Sequence, residues 1–138
     1  TTVLNAIANA GLTLPDSQVE YATPDQEGGE QAMQNLLATG SKFTAVLAYN
    51  DAMASGAMTM LQDQGIAVPE QVSVLGYDDV LLAKYCRPKL STLRYPVEMM
   101  AAKAAELALR YANGEKPEPG IMFKYTPTLI KRNSLIRR

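Results

Sequence analysis

The chain has 138 residues, with 13 basic and 14 acidic side chains, so its formal net charge is −1. It contains no histidine and one cysteine, which excludes a Ser-His-Asp or Cys-His catalytic centre, an imidazole metal site and an internal disulfide built from this chain alone. The near-zero charge provides no broad basic face for nucleic acid. Apolar residues make up 47% of the chain, which is enough for one domain with a packed core.

Apolar spacing and turn residues predict an alternation of helices and strands along the chain. In order, the predicted elements are a helix over 1–10, a strand over 18–22, a helix over 28–38, a strand over 43–49, a helix over 51–64, a strand over 72–76, a helical turn over 80–85, a strand over 91–95, a helix over 97–112, and strands over 121–125 and 128–130. This alternation predicts right-handed crossovers and an α/β fold with a doubly wound, mostly parallel sheet.

Polar side chains follow three of the predicted strands directly. Asn50 and Asp51 come after the first long apolar strand, Asp78 follows the next, and Tyr95 ends the third. In an open parallel sheet, ligands bind beyond the carboxyl ends of the strands. An amide, carboxylates and a phenol ring at that edge suit a polyhydroxylated ligand such as a sugar, because they combine hydrogen-bonding groups with a flat apolar face.

Each of these residues also has a structural interpretation. Asn50 or Asp51 is a candidate N-cap of the following helix, Asp78 is a candidate cap of the next helical turn, and Tyr95 is a candidate for strand packing. The Asp78–Asp79 pair offers too few oxygens for calcium, so we expect no metal site there. The sequence has neither the GxGxxG nor the GxxxxGK pattern, so no nucleotide cofactor is expected.

Five sequence blocks together resemble the lactose/galactose repressor family of bacterial transcription regulators. Four of them occur in the order and at the spacing of that family, which is more specific than any one block. The blocks are DQEGGEQAM (25–33), AYNDAMASGAM (48–58), VSVLGYDD (72–79), RPKLSTLRYP (87–96) and TPTLIKRNS (126–134).

The resemblance implies that residues 1–138 form the C-terminal portion of an effector-binding core similar to periplasmic sugar-binding proteins. It implies a sugar effector, galactose or a similar hexose, held between two subdomains without a cofactor or catalysis. By the same resemblance, Asn50 and Asp78 contact effector hydroxyls and Tyr95 lines the cleft. Asp25 and Asp51 are further effector-binding candidates.

The resemblance also implies partners and a location. Operator DNA would be bound through a helix-turn-helix domain outside this chain, in the cytoplasm, and helix 97–112 would pack on the first subdomain. A homodimer is implied, with interface candidates Ser55, Leu82, Tyr85 and Cys86. Two alternatives stay open from the sequence: a periplasmic sugar-binding component of a transport system with the same fold, and an enzyme with a doubly wound fold.

Overall fold

The computed structural model describes residues 2–137, which contain one four-stranded sheet. The strands lie side by side in chain order; the first three run parallel and the fourth pairs antiparallel with the third at the edge. This confirms the predicted, mostly parallel α/β sheet. The strands are β1 (Ala45–Leu47), β2 (Ser73–Tyr77), β3 (Ser91–Arg94) and β4 (Thr128–Ile130).

Helices alternate with these strands as the apolar spacing predicts. Each helix ends near a turn residue, and Gly11, Gly40 and Gly65 adopt the positive φ that glycine tolerates best. The helices are α1 (Thr2–Asn9), α2 (Gln26–Ala38), α3 (Asp51–Asp63), α4 (Leu82–Tyr85) and α5 (Val97–Ala112).

The hydrophobic core lies where α3 contacts α2, β2 and α4. Leu61 of α3, Met33 of α2 and Val74 of β2 are almost completely buried, and so is Leu90 just before β3. Close contact between α2 and α3 depends on two glycines. A side chain on Gly29 would collide with the α3 backbone, and one on Gly56 would collide with the α2 backbone, so these positions fix how closely the two helices approach.

The segment after β4 is tied into the sheet by buried hydroxyls. Ser134 is completely buried; its Oγ donates to the Val74 carbonyl at 2.7 Å and accepts from the Ser91 amide at 2.8 Å. The Ser91 Oγ accepts in turn from the backbone amide of Arg132 at 2.9 Å. These bonds hold Arg132 beside β3, where its side chain reaches the loop that follows β2.

Two predicted strands are wrong. Asp16–Gln18 form a short 3-10 turn, and residues 19–22 lie outside any sheet; the backbones of residues 20–22 make no hydrogen bond with other described residues. Residues 121–125 also form no strand, and Met122 is 74% exposed. Apolar alternation indicates a local tendency, but a strand also requires a neighbour with which to pair.

Helix α5 has the predicted bounds but an unexpected environment. None of its residues is buried, and Val97, Met99 and Leu109 are each more than 60% exposed. Its apolar stripe is therefore uncovered by the described residues. Glu106, Lys103 and Arg110 form ion pairs along the helix surface, which contribute little to stability because they are exposed.

Candidate functional site

The carboxyl ends of β1, β2 and β3 share one edge of the sheet, because the three strands are parallel. The structure brings Asp78 and Tyr95 together at this edge. The Asp78 amide donates to the Leu93 carbonyl at 2.9 Å, and the ring of Tyr95 meets that of Tyr77 edge to face, with 4.7 Å between centroids. These side chains line one end of an open cavity of about 780 Å³.

Asp78 has an unusual backbone conformation and does not cap the helical turn that follows it. Its φ is 105°, in the region that favours glycine, and its neighbour Asp79 has a φ of 55°. Helix α4 begins only at Leu82, without a side-chain cap. Asp78 is therefore not the cap of the following turn, and strained backbone of this kind is concentrated at binding sites.

The Tyr95 phenol lies in an environment that disfavours its ionised form. Burial, followed by the neighbouring Tyr77 and the Asp78 carboxylate, raises the pKa of Tyr95 to about 12. The hydroxyl is therefore a neutral donor and acceptor throughout the physiological range. With the flat face of the ring, this gives the edge both an apolar and a hydrogen-bonding surface.

Asn50 is the N-cap of α3, as its structural interpretation predicted. Its Oδ1 accepts from the Met53 amide at 2.8 Å, and its Nδ2 donates to the Pro24 carbonyl at 2.9 Å. An amide group has two donor hydrogens and two acceptor sites, so half of its capacity remains for another partner. Asn50 is half-buried and does not line the cavity that Asp78 and Tyr95 share.

Asp25 is the corresponding N-cap of α2. Its Oδ1 accepts from the Gly28 amide at 2.8 Å and from the Thr23 hydroxyl at 3.0 Å. The bond from Asn50 to Pro24 joins this loop to the start of α3, so the two caps stand near each other. Asp25 and Asn50 thus form a second polar group, and neither lines the cavity that Asp78 and Tyr95 share.

Asp51 is a buried structural carboxylate. It is completely buried; its Oδ1 accepts from the Thr92 hydroxyl at 2.6 Å and its Oδ2 accepts from the Val80 amide at 2.8 Å. Burial is the main cause that raises the pKa of Asp51, and the nearby Asp78 and Asp79 add to it, whereas the two hydrogen bonds oppose it. Gly76 leaves the space that this carboxylate occupies, because a side chain there would overlap it.

Asp79 has a role that the sequence analysis missed. Its side chain is 3% exposed, and it forms ion pairs of 2.5 Å with both Arg132 and Arg94. Burial by itself would raise the pKa of Asp79, but the hydrogen bonds and charges of the two arginines outweigh burial and lower it. The two adjacent carboxylates therefore differ. Asp78 lies at the cavity, whereas Asp79 is buried and its charge is balanced by the two arginines. The basic residue Arg94, at the end of β3, was the signal in the sequence from which an ion pair with Asp79 could have been predicted.

The four interface candidates occupy different environments. Tyr85 is 69% exposed, and Ser55 is half-buried on α3. Leu82 is partly buried against the core, and Cys86 is buried within it. A partner surface in this region would therefore meet Tyr85 and the exposed Leu81 before it met the thiol.

The chain is similar to several bacterial transcription regulators over nearly its whole length. It is 50% identical to the HTH-type transcriptional regulator GalR of Escherichia coli over 131 residues, which are 95% of this chain and 38% of the relative. It is 44% identical to GalS of Salmonella typhimurium, over 98% of this chain and 39% of that protein. The chain thus spans less than half the length of these relatives.

Solved structures agree with this similarity. The Escherichia coli transcriptional repressor ascG aligns with a TM-score of 0.83 and 35% identity, over 97% of this chain and 48% of that one. A complex of the transcriptional regulator CelR with cellobiose aligns with a TM-score of 0.88 and 31% identity, over 95% of this chain and 40% of that one. The resemblance to the lactose/galactose repressor family is therefore confirmed.

No helix within residues 2–137 is long and apolar enough to cross a membrane.

The family model of the periplasmic binding protein-like domain matches residues 1–135. This match covers almost the entire chain and accounts for the observed parallel sheet with its alternating helices. The chain belongs to the periplasmic binding protein-like domain family.

Proposed function

We propose that this chain is the effector-binding and dimerisation portion of a sugar-responsive transcriptional repressor, with galactose or a similar hexose as its effector. The observation that carries the proposal is the 50% identity with GalR across 95% of the chain. Relatives with 44% identity or more are named as transcriptional regulators, which favours this function over a transport component. The chain acts by binding and has no catalytic step.

The proposed effector site is the edge formed by Asp78 and Tyr95, with Asn50 as a further contact. A carboxylate accepts two hydroxyl hydrogen bonds, and a phenol ring packs against the apolar face of a sugar. The unused donor and acceptor of the Asn50 amide suit a third hydroxyl. The complex of CelR with cellobiose supports a polyhydroxylated ligand for a protein of this fold.

The proposed mechanism is allosteric. The sugar binds between this subdomain and a second one, and it favours the closed arrangement only by the difference between its affinities for the two states. Closure then lowers operator affinity through a DNA-binding domain outside this chain, in the cytoplasm. The uncovered stripe of α5 supports its packing on the second subdomain, because an exposed apolar face is otherwise unfavourable.

The proposed homodimer uses the surface around α3 and α4. Tyr85 and Leu81 are 69% and 65% exposed and supply apolar area there, whereas Ser55, Leu82 and Cys86 lie nearer the core. Sedimentation of the wild type should show a species of two chains, and Tyr85→Asp should shift it towards the monomer. A monomer at high concentration in the wild type would contradict the interface.

Calorimetry of galactose binding tests the site in the full-length protein that carries this chain. Asp78→Asn keeps the size of the side chain but removes its charge, and Asn50→Asp keeps the cap of α3 but removes the amide donor. Each should weaken galactose binding about tenfold or more, because the loss of one hydrogen bond to a charged or well-oriented group has an effect of that size. Asp63→Asn, an exposed change at the end of α3, is the matched control and should bind as the wild type does. Wild-type affinity in both site variants would contradict the site.

A mobility-shift assay with operator DNA tests the regulatory function separately. Galactose should weaken the complex of the wild-type protein with its operator, and Asp78→Asn should require a higher sugar concentration for the same effect. If sugar binds by calorimetry but leaves the DNA complex unchanged, the repressor function is wrong and a transport component becomes the better interpretation.

A further inference from the structure

The loop that follows β2 has an unusual backbone over residues 78–80. Within residues 2–137, Asp78 and Asp79 are the only residues other than glycine with a positive φ. This conformation is costly for a residue with a side chain, and it persists only where neighbouring contacts hold it. The contacts that hold this loop therefore also set the position of the Asp78 carboxylate at the cavity.

Three consecutive backbone amides of this loop each donate to a different acceptor. The bonds run from Asp78 to the Leu93 carbonyl at 2.9 Å, from Asp79 to the Thr92 hydroxyl at 3.3 Å and from Val80 to the Asp51 carboxylate at 2.8 Å. The Thr92 hydroxyl donates its own hydrogen to Asp51 at 2.6 Å, which leaves the lone pairs of its oxygen for the Asp79 amide. Asp51 therefore supports two of the three bonds, one directly and one through Thr92.

Asp51 lies behind the loop and outside the cavity. Asp51 and Thr92 are completely buried, and neither lines the cavity. Both carboxylate oxygens of Asp51 bond outside α3, to Val80 and Thr92, although Asp51 is the first residue of that helix. The neighbouring Asn50 supplies the cap of α3. The buried carboxylate thus connects the start of α3, where Asn50 lies, to the loop that carries Asp78.

We propose that Asp51 is a positioning residue of the effector site, acting with Thr92 through the loop that follows β2. By holding two backbone amides of this loop, it fixes the direction of Asp78 relative to Asn50 and does not itself contact the sugar. This inference rests on the proposed effector site. A hydrogen bond weakens steeply when its distance or angle departs from the optimum, so a carboxylate on a loosened loop binds the sugar hydroxyls less tightly.

Removal of one buried hydroxyl tests the proposal in the full-length protein that carries this chain. Thr92→Val keeps the shape of the side chain but leaves an oxygen of Asp51 and the Asp79 amide without their partner. Calorimetry should show galactose binding about tenfold weaker than in the wild type, the effect of one misdirected hydrogen bond. Thr92→Ser keeps the hydroxyl and should bind as the wild type does. Asp51→Asn replaces the charged acceptor with a neutral amide and should also weaken binding, so it serves as the second variant if Thr92→Val does not fold.

A loss of stability must be separated from a loss of positioning. Leu61→Ala destabilises the core away from the loop, so the folded protein should bind galactose as the wild type does. Hydrogen exchange gives a second readout that requires no sugar. Val80 is 45% exposed, so protection of its amide reports the bond to Asp51, whereas the amide of the buried Val74 reports the core. Thr92→Val should accelerate exchange at Val80 more than at Val74. Leu61→Ala should accelerate exchange at Val80 no more than at Val74.

Several results would overturn the proposal, and each identifies the step that is wrong. A wild-type Val80 amide that exchanges as fast as an unbonded exposed amide means that Asp51 does not hold the loop. Weak binding by Asp78→Asn together with wild-type binding by Thr92→Val keeps the effector site but removes the positioning role. Binding by Thr92→Ser or Leu61→Ala as weak as by Thr92→Val means that the hydroxyl is not the cause. No galactose binding by the wild type, or wild-type affinity in Asp78→Asn, refutes the effector site itself, and the positioning role with it.

Discussion

Helices α3 and α5 have similar lengths and amphipathic spacing but opposite environments. Helix α3 has 13 residues and completely buries Leu61 against the sheet and its neighbouring helices. Helix α5 has 16 residues and buries none. An apolar stripe on a helix therefore indicates the need for a partner, but it does not say whether that partner belongs to the same subdomain.

Truncation of one leucine in each helix gives the largest expected contrast. Leu61→Ala should lower the free energy of unfolding by about 3 kcal/mol, because it removes buried methyl groups and leaves a cavity. Leu109→Ala, at a position that is 67% exposed, should change it by less than about 0.5 kcal/mol. Urea denaturation followed by circular dichroism measures both. Equal losses would mean that α5 packs within this chain after all.

The second contrast lies between the adjacent carboxylates Asp78 and Asp79. Asp79→Asn should cost about 2 kcal/mol at neutral pH, since it leaves Arg132 without its buried partner, whereas the half-exposed Arg94 contributes less. Asp78→Asn should leave stability almost unchanged, because its side chain stands at the open cavity.

The effect of Asp79 should depend on pH in a defined direction. The folded-state pKa of Asp79 lies below its ordinary value of 3.8, so its stabilisation is present above that value and is lost as pH falls through the lower folded-state value. The difference in stability between wild type and Asp79→Asn should therefore shrink between pH 4 and the acid limit of folding. A difference that stays constant with acidification would contradict the ion pairs.

The sequence predicts most of the fold because its signals are local. The bounds of α5 follow from helical spacing, and the positions of β2 and β3 follow from continuous apolar runs. The predicted strand over 18–22 fails for a reason that lies outside the segment, since no strand among residues 2–137 pairs with it. Local patterns do not report whether a neighbour is present.

The site also shows this difference between local signals, which the sequence carries, and contacts with distant residues, which it does not. Parallel strands place Asp78 and Tyr95 at one edge, so sequence reasoning finds them together. It does not separate Asp78 from Asp79, because the distinction depends on Arg132, which is 53 residues away in the chain and arrives through β4. Nor does it place Asp51 fully inside, since that requires the space left by Gly76.

A third, smaller contrast concerns the two roles of Asn50. Asn50→Ala should lower the free energy of unfolding by about 1 kcal/mol through loss of the α3 cap. Asn50→Asp keeps an oxygen for the Met53 amide and should recover most of that loss. Thermal unfolding of the two variants measures the difference. If both variants are as stable as the wild type, the cap contributes nothing to stability. All donor and acceptor groups of the Asn50 amide would then be available to a ligand.

The smallest expected effect comes from Tyr95 at alkaline pH. Its folded-state pKa of about 12 exceeds the ordinary value of 10.0, so the neutral phenol stabilises the fold fully below pH 10, and this contribution is lost as pH rises towards 12. Solvent at the open cavity limits the loss to at most about 1 kcal/mol. Urea midpoints measured from pH 8 to 11 should fall more steeply for the wild type than for Tyr95→Phe, with Tyr21→Phe, at an 88% exposed position, as the matched control. Parallel curves for wild type and Tyr95→Phe would mean that the phenol ionises freely, and that the edge is too open to hold a neutral hydroxyl against Asp78.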